Sequence, residues 1–85
     1  MQSRLIARTI ARTEDSIDAA FAGAALRSEF ALRTSMLYAM ADLCRARMAL
    51  ADAKQNLVCG CTRMSVRMLR SAVRWLRSAS YMVTP

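Results

Sequence analysis

Five arginines near the end of the chain are spaced for one side of a helix. Arg63, Arg67, Arg70, Arg74 and Arg77 step by four, three, four and three residues. At about 100° of rotation per residue they share an arc of roughly 80°. The opposite arc carries Val66, Met68, Leu69, Ala72, Val73, Trp75, Leu76 and Ala79, and no acid follows Asp52. The pattern is a cationic amphipathic helix whose guanidinium stripe is about 21 Å long. A guanidinium fork suits carboxylates and phosphates, which accept two parallel hydrogen bonds from it.

Four uses follow from that chemistry. The stripe can dock on an acidic protein surface or a larger assembly by bidentate pairing. It can contact phosphates along DNA or RNA without reading bases. It can lie on an anionic membrane surface, which is disfavoured because the apolar arc is needed for packing inside the protein. Or it can be only a solvated face that keeps a small apolar protein soluble. Base reading fits poorly, since Ser71 and Ser78 flank the stripe but Asn and Gln are absent from it. Stacking on single strands would want exposed aromatics, and only Trp75 and Tyr81 are near.

The stripe also sets an electrostatic problem. Arginines three or four apart repel, and four such contacts cost roughly 1–2 kcal/mol in sum at low salt. In an antiparallel hairpin turning at Gly60, Arg67 stands level with Asp52 and Arg77 with Asp42. Those two carboxylates could neutralise two of the five at most. At least three cations would remain for something outside the chain.

Catalytic chemistry has little to work with. The chain holds no His and one Lys, so the usual acid–base partners are missing, and no nucleophile motif or phosphate loop occurs. No enzyme activity, metal or cofactor is expected. The run Cys59-Gly60-Cys61 invites two other readings. Two copies in a dimer could offer four thiolates to zinc, or pair across a two-fold axis. Nothing else in the sequence supports a metal. Cys44, on an apolar stripe, reads as a small core residue.

The elements that must position the stripe follow from composition. The chain has 85 residues, 55% of them hydrophobic, a net charge of +7, two Gly and one Pro, and that Pro is terminal. Ala, Leu, Met and Arg dominate, and no alternating run of strand length appears, so the fold class is all-α. Eighty-five residues make one domain with a thin core, for which oligomerisation or docking is a natural support. Twelve Arg against six carboxylates favour acidic partners.

Three segments are expected. Residues 1–12 form a basic N-terminal segment, helical, with Arg4, Arg8 and Arg12 and no acid. Residues 13–80 form the main helical domain, opening at Thr13 as a cap with Glu14, Asp15 and Asp18 in the early turns. Residues 81–85 fray. Within the domain, 13–57 has no Pro and only Gly23, so it reads as one long helix. Gly23 among five alanines would let another backbone approach closely, or would merely sit in a strongly helical run. Gly60 suits the left-handed position that ends a helix, and Thr62 can cap a shorter one over about 63–80. The preferred architecture is therefore a long helix plus a shorter C-terminal helix as an antiparallel hairpin, packing in an oligomer or on a partner. The alternative is a three-helix bundle, with the long segment bent near Arg33-Thr34-Ser35.

The long segment is apolar on two sides. Ile17, Phe21, Ala24, Leu32, Ala39, Leu43 and Leu50 fall on one, and Leu26, Phe30, Leu37, Cys44, Met48 and Ala51 on nearly the other. Two apolar faces call for neighbours on two faces. Candidate apolar interface residues are Phe21, Phe30, Met36, Leu37, Met40, Met48 and Trp75, with core packing the competing role for the methionines and for Trp75. The expected function is a non-enzymatic protein–protein interaction subunit: an accessory, adaptor or inhibitor within a homo-oligomer or hetero-complex. Its arginine-striped helix would dock on an acidic surface. The alternative is a nucleic-acid-binding helical protein contacting phosphates. The expected location is the cytoplasm, or an organelle matrix if the basic N-terminal segment is an import signal.

Overall fold

The structure, a computed structural model, describes residues 3–27 and 33–83. They form three helices, α1 (Ser3–Arg27), α2 (Arg33–Val58) and α3 (Thr62–Val83). Among the described residues there is no strand, and the chain is all-α.

The single helix expected over 13–57 is two helices. Glu14 of α1 reaches Lys54 of α2, and Asp18 reaches Arg47. Residues forty apart on one straight helix would be separated by about 60 Å. α1 and α2 therefore run in opposite directions, and residues 28–32 lie outside the described set. Apolar patterning explains the preference. A helix apolar on two faces leaves both wet, whereas folding it in two lets α1 cover part of α2 and α3.

The helix start expected at Thr13 is also absent, because α1 runs through it without interruption. Ile6, Ile10, Thr13, Ile17, Phe21 and Ala24 recur every three or four residues, and all but the half-buried Phe21 are buried. This stripe carries the helix across the expected boundary at residue 12. The basic segment 1–12 thus supplies Ile6 and Ile10 to the same core as the rest. Thr13 turns its hydroxyl back to donate to the Thr9 carbonyl at 2.8 Å, so it caps nothing.

α2 and α3 form the tightest pair, and the reason is small residues at matched positions. Ala39, Ala46 and Ala53 recur every seven residues along α2, and Ser65, Ala72 and Ala79 recur every seven along α3. All six are buried. Numbered outward from the turn, Ala53 stands against Ser65, Ala46 against Ala72, and Ala39 against Ala79. Leu43, Leu50, Leu69 and Leu76 alternate with them, filling the space beside each small pair. Side chains this short let two helices approach toward the close end of the usual 8–10 Å spacing. The Ser65 hydroxyl donates to the Ala53 carbonyl at 2.7 Å, pinning the register next to the turn.

The turn itself has a complete hydrogen-bond account. The Cys61 amide donates to the Asn56 carbonyl at 2.8 Å, and the Gly60 amide donates to Leu57 at 3.1 Å. Gly60 has φ of 81°, the left-handed conformation that lets a helix end in this way. The expected cap at Thr62 is displaced by one residue. Thr62 is the first residue of α3, and the Cys61 carbonyl accepts the Ser65 amide at 2.9 Å.

α1 runs antiparallel to α2, as the Glu14–Lys54 and Asp18–Arg47 pairs require. Its fit against α3 is looser. The described chain measures 44 × 17 × 16 Å, close to the length of one 26-residue helix, so the three lie side by side. Among the described residues Gly23 is not a point of close approach, since a Cβ added there would meet none of them within 4 Å.

Candidate functional site

Helix α3 buries Ser65, Leu69, Ala72 and Ala79 and half-buries Trp75 and Leu76. The rotation that packs these inward turns Arg63, Arg67, Arg70, Arg74 and Arg77 outward, and all five are exposed. The sequence stripe is therefore one continuous face.

Its charge is less compensated than the hairpin register implied. Arg77 was expected to find Asp42, and Arg67 to find Asp52. Asp42 is instead buried and occupied: Arg45 donates to Oδ1 at 2.8 Å and Ser78 donates to Oδ2 at 2.8 Å. Asp52 is exposed and makes no ion pair among the described residues. Residues level with each other along two helices can still face different ways. The ion pairs among the described residues are Arg45–Asp42, Arg47–Asp18 and Lys54–Glu14. None uses an arginine of the stripe.

The cations whose side chains are described thus divide into two populations. Arg45, Arg47 and Lys54 work inside the fold. Arg45 also lies over the Trp75 ring, 5.0 Å from its centroid, and Arg47 over Phe21 at 4.2 Å. Arg4, Arg8 and Arg12 on α1 and the five arginines of α3 are exposed and make no ion pair among the described residues.

Beside the stripe, α1 and α3 part to leave a groove of about 570 Å³. Leu5, Ile6 and Thr9 wall it on α1, and Val66, Leu69 and Val73 on α3. Arg70, Arg74 and Arg77 stand on its rim. Leu5 is 49% exposed there. Sequence reasoning passed over Leu5, although it is offset from the buried Ile6 and Ile10 and so had to lie on a flank of α1.

The candidate apolar interface residues do not form one surface. Leu37 is 68% exposed and Met48 70%, and with Met40 and Cys44 they make an uncovered stripe on the outer side of α2. Phe21 and Trp75 instead pack against the core. Phe30 lies outside the described residues, and so does the side chain of Met36. Cys44 is exposed rather than buried, because Ala39, Leu43 and Ala46 take the inward positions around it. Cys59 and Cys61 are free and exposed at the turn. Among the described residues no cluster of three or more His, Cys, Asp or Glu is placed to hold a metal ion. No helix among them is long and apolar enough to cross a membrane.

No protein-family model matches this chain, and neither a curated protein nor a solved structure is significantly similar to it.

Proposed function

We propose that the chain is a non-enzymatic interaction subunit, a three-helix bundle that presents the arginine face of α3 to an acidic protein surface. One observation carries this reading: five exposed guanidinium groups lie in a row, and none has a carboxylate within ion-pair reach among the described residues. Repulsion within such a row costs stability, and the fold makes no use of it. A partner supplying carboxylates would relieve the repulsion and gain charge-assisted hydrogen bonds.

Contact with nucleic-acid phosphates is the second reading, favoured by the length of the row, about 21 Å along one edge. Fluorescence anisotropy of labelled poly-glutamate and of labelled duplex DNA, each across a salt series, separates the two. Under the first reading the polyanionic peptide binds, and Arg70→Gln with Arg74→Gln weakens it while helicity is unchanged. DNA binding that falls steeply with salt, without peptide binding, would replace the first reading with the second. Binding unchanged by the double substitution would reduce the stripe to a solvated face. The outer stripe of α2, with Leu37 and Met48, supports self-association as a further part of the proposal, and light scattering tests it.

A further inference from the structure

We propose that the groove between α1 and α3 seats an acidic amphipathic helix of a partner protein, carboxylates against Arg70, Arg74 and Arg77 and apolar side chains over Leu5, Val66 and Val73. The inference rests on the docking reading above and adds to it the form of the partner.

The groove exists for a local reason. Toward the far end of α1, Ala20 packs against the cluster of Ala39, Leu43 and Ala79, and so small a side chain lets the helices close. Toward the near end α1 presents Leu5 and Thr9, and the helices stand apart around them. The result is an apolar floor open to solvent along its length. Its α3 rim is cationic. Arg70, Arg74 and Arg77 edge it on α3. On α1, Arg12 follows Leu5 by one heptad and so lies about 20° from it around the helix. Arg8 lies about 60° from Leu5.

An apolar floor beside a cationic rim selects among occupants. A phosphate backbone would satisfy the arginines and leave Leu5 and Val73 uncovered. A second copy of this chain fits badly, since each copy carries a net charge of +7. Its best-spaced acids, Glu14 and Asp18, are already held by Lys54 and Arg47. A helix with apolar residues flanked by acids answers both demands, and helix-in-groove binding is a common recognition mode. The rim spacing of four and three residues is also that of one helical face, so carboxylates on a helix laid alongside fall at matching intervals.

The test uses the full chain and two labelled synthetic peptides of about 18 residues, long enough to span the groove. One carries a leucine stripe flanked by glutamates. The other keeps every glutamate and replaces each leucine with Gln, which preserves charge and helix propensity. Anisotropy is read at about 150 mM salt, where loose charge attraction is screened. The leucine peptide is expected to bind at least tenfold tighter than its control. Leu5→Gln should abolish most of that difference, as should Arg70→Gln with Arg74→Gln. Should Leu5→Gln disturb the fold by circular dichroism, Val73→Gln examines the same floor from α3. Equal binding of both peptides would overturn the groove while leaving the acidic docking face intact. Binding of neither peptide would overturn it too, whether or not poly-glutamate still binds. So would capture by phosphatidylglycerol vesicles without a preference for the leucine peptide.

Discussion

Removing two arginines from the stripe should make the protein more stable. Four contacts join the five residues: Arg63 with Arg67, Arg67 with Arg70, Arg70 with Arg74, and Arg74 with Arg77. Arg70→Gln and Arg74→Gln together remove three of them. Each like-charge contact at this spacing destabilises a helix by about 0.2–0.5 kcal/mol, so the double variant gains about 0.6–1.5 kcal/mol at low ionic strength. Gln and Arg have similar helix propensities, and Gln keeps most of the stem that lies along the groove wall. For a domain this size, 1 kcal/mol moves the melting temperature by about 4–8 °C.

Urea unfolding followed by circular dichroism at about 10 mM and about 1 M salt is the assay, since urea leaves ionic strength free to vary. At low salt the variant should have the higher midpoint with an unchanged m-value. At high salt, where screening acts over about 3 Å, the two curves should converge. A variant less stable than the parent, or a difference indifferent to salt, would mean that the guanidinium groups already meet acids within the chain. The docking face would then lose its physical basis.

Other substitutions test the fold that holds the face. The two glycines should respond with opposite signs: Gly23→Ala stabilises by about 0.5–1 kcal/mol, because a Cβ there meets none of the described residues within 4 Å. Gly60→Ala destabilises by about 1–2 kcal/mol, because φ is 81° there; thermal melts of both decide it. Ala72→Leu forces the close α2–α3 pair apart and costs about 1–3 kcal/mol in urea unfolding, whereas a neutral result would deny the small-residue register. Asp42→Ala leaves the Ser78 hydroxyl and the Arg45 guanidinium without the buried carboxylate they share, at a cost of about 1–3 kcal/mol by the same measurement.

What the residues disclosed in advance depended on how local the cause was. The arginine stripe was legible because helical rotation alone places Arg63 to Arg77 on one side, and any fold that buries Leu69 and Ala72 must turn them outward. Gly60 was legible because a left-handed helix end has few other tenants. The division of the long segment was not, because its cause is tertiary. No Pro marks it, and the helices separate because α1 buries Ile6, Ile10 and Ile17 on its neighbours. The same stripe erased the expected start at Thr13, overriding an N-cap signal of about 1 kcal/mol. The clearest missed signal was in plain view: small residues seven apart at 39, 46 and 53 and again at 65, 72 and 79, placed symmetrically about the turn. Attention to large apolar residues hid it, since alanines read as helix propensity rather than as contact surface.

That register also separates the residues that hold the fold from those free to bind. The α2–α3 interface is built mainly from small and leucine side chains, and the cations beside it come from α2: Arg45 lies over Trp75 of α3, while Arg47 lies over Phe21 of α1. Helix α3 spends its inner face on packing and contributes only Ser78 to the buried Asp42. Its five arginines could therefore change without removing a core contact. A solvated face kept for solubility needs only net charge, which Arg4, Arg8 and Arg12 already supply. Concentrating five more cations in one row, three of them along the edge of an apolar groove, costs stability and adds little to solubility. Such an arrangement makes physical sense when the opposing charges and the missing apolar cover arrive together on another molecule.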